Sequence, residues 1–116
     1  QAGPKLLPQI TLEQEYFTAK NSNGIKTRDS ISSERKLARI AVGIMKDGSL
    51  SIFVASKQHP MSLFEMSDYM QKHGVKDAIN FDGGGSVSLN YKDIDIFSDY
   101  KNTRRQVKSF LVVKKY

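Results

Sequence analysis

The stretch "RIAVGIMKDGSLSIFVAS", Arg39 to Ser56, decides the fold class. Ile40, Val42 and Ile44 recur at period two, and so do Leu50, Ile52 and Val54, which is the spacing of a strand face rather than a helix stripe. Between the two runs stands Lys46-Asp47-Gly48. Asp-Gly supplies the positive φ values that a tight hairpin needs, so Arg39–Met45 and Ser49–Ala55 are expected to pair antiparallel. The alternate positions Ala41, Gly43, Phe53 and Ala55 are also apolar or small. Both faces therefore read as covered, and the hairpin as central in its sheet.

Outward from the hairpin, "HPMSLFEMSDYMQKHG" carries a helix. Ser62 and Glu65 form an S-x-x-E capping box, each side chain taking a backbone N–H at the other's end of the first turn. Leu63, Met66 and Met70 share one face, Met61 is placed to staple onto Met66, and Gly74 stands where a left-handed stop belongs. The helix is expected over Leu63–His73. "VKDAINF" then reads as a short strand running into Asp82-Gly83-Gly84-Gly85-Ser86. "SVSLNY", "DIDIFSD" and the closing "RRQVKSFLVVKKY" read as further strands, the last with Val107, Leu111 and Val113 turned inward. Residues 1–36 are loop-rich: Gly3-Pro4 and Pro8 punctuate the start, "NSNG" makes a turn, and Lys26–Lys36 reads as an exposed loop. The ordered core is placed at 37–116. Strands with one amphipathic helix laid on them give α+β, with a mixed, largely antiparallel sheet.

The chain has 116 residues, enough for one domain and one modest core. Its formal net charge of +6 and pI near 9.6 favour anionic partners. Arg104, Arg105 and Lys108 are too sparse a cluster, without interleaved aromatics, to indicate nucleic acid. The longest apolar runs are four residues, Ile52–Ala55 and Phe110–Val113, so no membrane span and no signal-peptide core is expected. Zero cysteines excludes disulfides and thiolate metal sites. The opening "QAGPKLLPQ", without Met, suggests a processed or cut piece.

Three consecutive glycines cost backbone entropy, about 0.5–1 kcal/mol each in regular structure, so Gly83, Gly84 and Gly85 call for an explanation. Behind a strand, such a run exposes successive backbone N–H groups to a ligand with no Cβ in the way, and amide nests of this kind hold phosphate or other oxyanions. Ser86 and Ser88 add hydroxyl donors. Asp82 is placed as a general acid or base, a nucleophile or a cation ligand. The alternative is a tight turn capped by Asp82. Neither a Walker A nor a dinucleotide fingerprint is present. Asn80 lies one strand period from Asp82 and is expected on the same face, as ligand contact or sheet-end hydrogen bonder. Glu65 belongs to the capping box, His73 to the helix end, and His59 precedes a proline in a loop. Asp93, Asp95 and Asp99 offer hard oxygens for Ca²⁺ or form a solvated loop; otherwise no cofactor or metal is expected.

"AINFDGGGSVSL" resembles the "N-L-D-G-G-G-S-S" signature of the phosphodiester glycosidase family, and the likeness extends over nearly the whole chain in the same order. "AGPKLL" is similar to the family's "GP-x-L" start, the hairpin to its "R-S/T-A-I/V-G…DG-x-L" segment with Arg39 at the arginine, and the capped helix to "M-T-L-x-E-L-A". "RRQVKSFLVV" is similar to the closing "R-P-V-x-x-x-L-x-V", with Arg105 at its arginine. The resemblance implies hydrolysis of a sugar-1-phosphodiester at the anomeric bond, with Asp82, Arg39 and Arg105 as catalytic residues. Asn80, Gly83, Gly84, Gly85, Ser86 and Ser88 would bind substrate, a sugar phosphodiester or phosphorylated glycan. It also implies an extracytoplasmic setting and an upstream segment, supplied by the same domain or a separate chain. Pro60, Ala55-Ser56-Lys57, Val87, Gln106 and the degenerate "DIDIFSD" depart from the family pattern. These departures keep open an inactive glycan- or phosphate-binding module, or a scaffold of the same fold.

Overall fold

The computed structural model describes residues 3–83, 87–92, 94–98 and 111–114. Its centre is a four-stranded antiparallel sheet in the order β1 (Lys5–Leu7), β6 (Val75–Gly83), β4 (Arg39–Met45), β5 (Leu50–Ala55). The expected hairpin is β4–β5, in register from Arg39 opposite Ala55 to Ile44 opposite Leu50. Gly48 takes φ 87° in its turn. Two small hairpin pairs lie apart from this sheet, β2 (Thr18–Lys20) with β3 (Lys26–Asp29), and β7 (Ser88–Tyr91) with β8 (Ile94–Ser98). The architecture is α+β. Every strand pairing among the described residues is antiparallel, so the mixed character expected of the sheet is not found there.

The single described helix, α1 (Leu63–Lys72), begins as its sequence dictates. Ser62 Oγ accepts from Glu65 N at 3.1 Å, and Glu65 Oε2 accepts from Ser62 N at 2.8 Å. His73 is the C-cap and Gly74 follows at φ 83°. Leu63, Met66, Ser67 and Met70 are buried. They meet the Ala41 and Ala55 side of the sheet together with Leu6, Leu7 and Leu12 in one core. Ser67 Oγ donates to Leu6 O at 2.8 Å, tying α1 to β1.

Small residues decide which face the helix takes. Gly43 sits where an added Cβ would lie 2.6 Å from Val75 Cγ1 and 3.1 Å from Met70 Cε. The helix therefore approaches because no side chain stands there. Gly43→Ala is expected to cost about 1–3 kcal/mol by overpacking, read as a lowered melting temperature in circular dichroism.

Several expectations change. The hairpin is not covered on both faces: β4 is interior but β5 is an edge, and Ile44, Leu50 and Ile52 are substantially exposed. A period-two pattern cannot tell a core face from an apolar face left open. The division at residue 37 does not separate loop from core, because Leu6, Leu7 and Leu12 belong to the core and β1 is a sheet strand. Lys26–Lys36 is not a plain exposed loop, since it contains β3 and the buried Ser33. Of the closing segment, residues 101–110 lie outside the described residues. Leu111 and Val113, expected inward, are exposed and in no regular structure.

Candidate functional site

β4 and β6 bring together residues more than forty positions apart. Arg39 pairs with Gly83 and Ile40 with Asp82, so the aspartate and the first glycine close the sheet end that Arg39 opens. Asn80 pairs with Ala41. The register shift between Ile40 and Ala41 leaves Phe81 as an extra residue. A bulge interrupts the two-residue strand period, and it has no signature in the strand's apolar pattern.

Arg39 is 1% exposed. Its Nη2 donates to Ser32 O at 2.7 Å and Arg35 O at 3.0 Å, and its Nε to Met61 O at 2.9 Å. A Cβ added to Gly83 would stand 3.7 Å from Arg39 Nη1, so the guanidinium lies directly beside the first glycine. Burial lowers the Arg39 pKa, and the negative Asp29 offsets part of that shift. A guanidinium nevertheless keeps its proton inside proteins. Among the described residues no carboxylate forms an ion pair with it. A buried positive charge held by carbonyl oxygens thus sits beside Gly83.

The loop that receives Arg39 is organised by Asp29, which sequence reasoning missed. Its carboxylate accepts from Ser33 N at 2.9 Å, Ser33 Oγ at 2.7 Å and Ile31 N at 3.3 Å. Ser33 O in turn accepts from Leu63 N at 2.9 Å, fixing the loop to the start of α1. Partial burial works against the Asp29 carboxylate, but the bonds from Ser33, Ile31 and Lys26 outweigh it and hold its pKa below the ordinary value. An aspartate with a serine four positions on was the available signal, the pattern of a side chain bonding its own following backbone. A depressed folded pKa means that stability is present above the unfolded pKa and lost as pH falls through the folded one. Asp29→Asn is accordingly expected to lower the urea midpoint at neutral pH, with the gap to the parent protein closing towards about pH 2.

Asn80 is buried, and its N donates to Pro4 O at 2.8 Å. Gly3 packs over it so closely that a Cβ would fall 2.6 Å from Asn80 O and 2.8 Å from Asn80 Nδ2. Asn80 Oδ1 has no hydrogen-bond partner among the described residues. Ser88 is exposed at the start of β7, and Val87 is fully buried. Gly84, Gly85, Ser86 and Arg105 lie outside the described residues, as do Asp93 and Asp99; Asp95 falls in β8. No group of three metal-ligating side chains occurs among the described residues.

The remaining candidates have structural partners. Glu65 is held low in pKa first by the Ser62 N–H and then by Lys36, whose Nζ is 3.0 Å away. His73 Nδ1 lies 2.8 Å from Tyr69 O, and its ring stacks on Tyr69. His59 donates its backbone N–H within its own loop, to Ser56.

A family model described as phosphodiester glycosidase matches residues 2–114. The chain belongs to the phosphodiester glycosidase family. Two curated relatives, from Mus musculus and Homo sapiens, are named N-acetylglucosamine-1-phosphodiester alpha-N-acetylglucosaminidase. Each is 41% identical over 55 residues, which is 45% of this chain and 11% of the relative. The chain thus spans about a tenth of the length of these relatives. No solved structure matches it. No helix among the described residues is long and apolar enough to cross a membrane.

Proposed function

We propose that this phosphodiester glycosidase chain carries the phosphate-binding and catalytic end of a site that hydrolyses a sugar-1-phosphodiester. The observation that carries the reading is the juxtaposition of Arg39 with Gly83 and of Asp82 with Ile40 at one end of β4 and β6. In the reaction, water adds to the anomeric carbon, the bond from that carbon to the phosphate oxygen breaks, and a phosphomonoester leaves. The transition state resembles an oxocarbenium ion, which a nearby carboxylate stabilises. Asp82 supplies that carboxylate or orients the water. The amides from Gly83 to Gly85, with Ser86 and Ser88, receive the phosphate or a sugar hydroxyl, and Arg105 neutralises phosphate charge by a bidentate contact.

Burial gives Arg39 a different part from Arg105. Its charge acts from beside Gly83, in a protein interior where the field is less screened than in water. It is a positioning residue that also favours an anion over the glycines. Asn80 orders the same strand end beneath Gly3 and Pro4. The substrate class is a phosphorylated glycan, and the family resemblance supports a setting outside the cytoplasm.

The test is an assay of the polypeptide that contains this chain, using a chromogenic sugar-1-phosphodiester. Equimolar release of sugar and phosphomonoester is expected. Binding of the same compound without turnover would overturn hydrolysis and establish the binding module. Neither binding nor turnover would leave the scaffold reading.

A further inference from the structure

The turn "NSNG", Asn21 to Gly24, joins β2 to β3 and supplies no residue to the proposed hydrolytic site. It holds two asparagines in different states. Asn21 is fastened, its Oδ1 accepting from Asn23 N and from Ile25 N, both at 3.0 Å. Asn23 enters the turn through its backbone N–H, and among the described residues no hydrogen bond holds its side-chain amide. Asn23 and Gly24 are both exposed. Gly24 has no Cβ to crowd its nitrogen, and its φ of 75° is one that glycine holds without strain. The other asparagines, Asn21, Asn80, Asn90 and Asn102, precede Ser22, Phe81, Tyr91 and Thr103, whose side chains stand beside the following nitrogen. Asn80 is also buried in β6, and Asn90 lies within β7.

We propose that Asn23 is a site of spontaneous deamidation and converts before every other asparagine of the chain. Gly24 N attacks Asn23 Cγ, the bond from that carbon to the side-chain nitrogen breaks, and ammonia leaves carrying the proton from Gly24 N. The product is a five-membered succinimide. Water then adds at either ring carbonyl and opens it, giving aspartate or isoaspartate at position 23. No oxidation state changes, and water is the sole co-reactant. One bond restrains the nucleophile, since Gly24 N donates to Asn21 O at 3.0 Å. It lies in an exposed turn, where such a bond opens readily. Asp47-Gly48 is the instructive contrast. Asp47 Oδ1 is held by Ser49 Oγ at 2.6 Å and Ser49 N at 2.9 Å. A carboxylate closes the same ring only once protonated, which these two bonds oppose by lowering the Asp47 pKa. Deamidation adds one negative charge to a chain of net +6. The isoaspartate product also lengthens the main chain between β2 and β3. The inference is independent of the proposed hydrolysis.

The test keeps the full, unsubstituted chain at mildly alkaline pH and maps it by trypsin and mass spectrometry over time. Cleavage after Lys20 and Lys26 releases residues 21–26, which carry both turn asparagines. The mass of this peptide is expected to rise by the difference between an amide and an acid, with fragmentation placing the change at Asn23 and isoaspartate exceeding aspartate. The same six residues as a free peptide set the unrestrained rate. A single exposed turn bond should slow the folded chain by no more than about ten-fold against that peptide. A chain slower than this, or one that converts first at Asn21, Asn80, Asn90 or Asn102, would overturn the proposal. Gly24→Ala in the free peptide, where no fold can be disturbed, is expected to slow conversion several-fold. An unchanged rate there would overturn ring closure by Gly24 N.

Discussion

Arg39→Met is expected to remove about 2–4 kcal/mol of stability, a large share of the total for a domain of this size. Methionine keeps much of the apolar stem, so the loss reports the polar head. Three carbonyl oxygens, of Ser32, Arg35 and Met61, lose their donor together. Each costs about 1–3 kcal/mol when left unpaired away from water, and less where solvent reaches it, as at the exposed Arg35. Removing the buried charge returns part of that cost, since burial disfavours it. For a chain of this length the melting temperature should fall by roughly 10–20 °C. Proteolysis should become faster around residues 30–36, the loop that the guanidinium holds. Arg39→Lys should recover only part of the loss, because an ammonium lacks the planar fork that reaches three carbonyls at once. Melting of Arg39→Met within two or three degrees of the parent protein would show that the clamp contributes little.

The clamp also shows where sequence reading stops. Asp47-Gly48, the Ser62–Glu65 box and Gly74 are local signals, each fixed by backbone geometry within a few residues, and each appears in the structure at its expected place. Arg39 at the start of a strand carries no such signal. Its role depends on Ser32, Arg35 and Met61 arriving from two other segments, and only the fold brings them. β1 is similar. "KLL" has no pattern of its own and becomes a strand because β6 offers it an edge. The candidate site is legible in the sequence only as residue types, Asp82, Gly83 and Arg39 among them. Their juxtaposition is not, because it follows from the β4–β6 register and from the bulge at Phe81. The choice of helix face was hidden as well. Both faces of the hairpin read as covered, and nothing in its pattern shows that α1 takes the side of Ala41 and Gly43, where small residues admit it.

Asp82→Asn is expected to lower turnover of a sugar phosphodiester by roughly 10²–10⁴-fold, the range lost when a positioned acid or base is removed. The substitution keeps the shape and removes the charge and the basicity. Substrate affinity should hold or improve, because a carboxylate beside a phosphodiester repels it. That pattern, a fall in kcat with KM unchanged or lower, separates chemistry from binding. Gly83→Ala should give the complementary pattern. Its new Cβ would meet Ala38 O at 3.4 Å and Arg39 Nη1 at 3.7 Å, ordinary contact distances, so the fold should tolerate it. The same methyl group would obstruct close approach of an anion to the backbone amides, and KM should rise. If Asp82→Asn left turnover unchanged in a protein that melts normally, the carboxylate would have no part in the chemistry. The D-G-G-G run would then be a binding nest whose catalytic group comes from elsewhere. If Gly83→Ala left KM unchanged while Asp82→Asn abolished turnover, the phosphate would be held by Arg105 and the serines. The two variants together therefore divide the run into the residue that acts and the residues that hold.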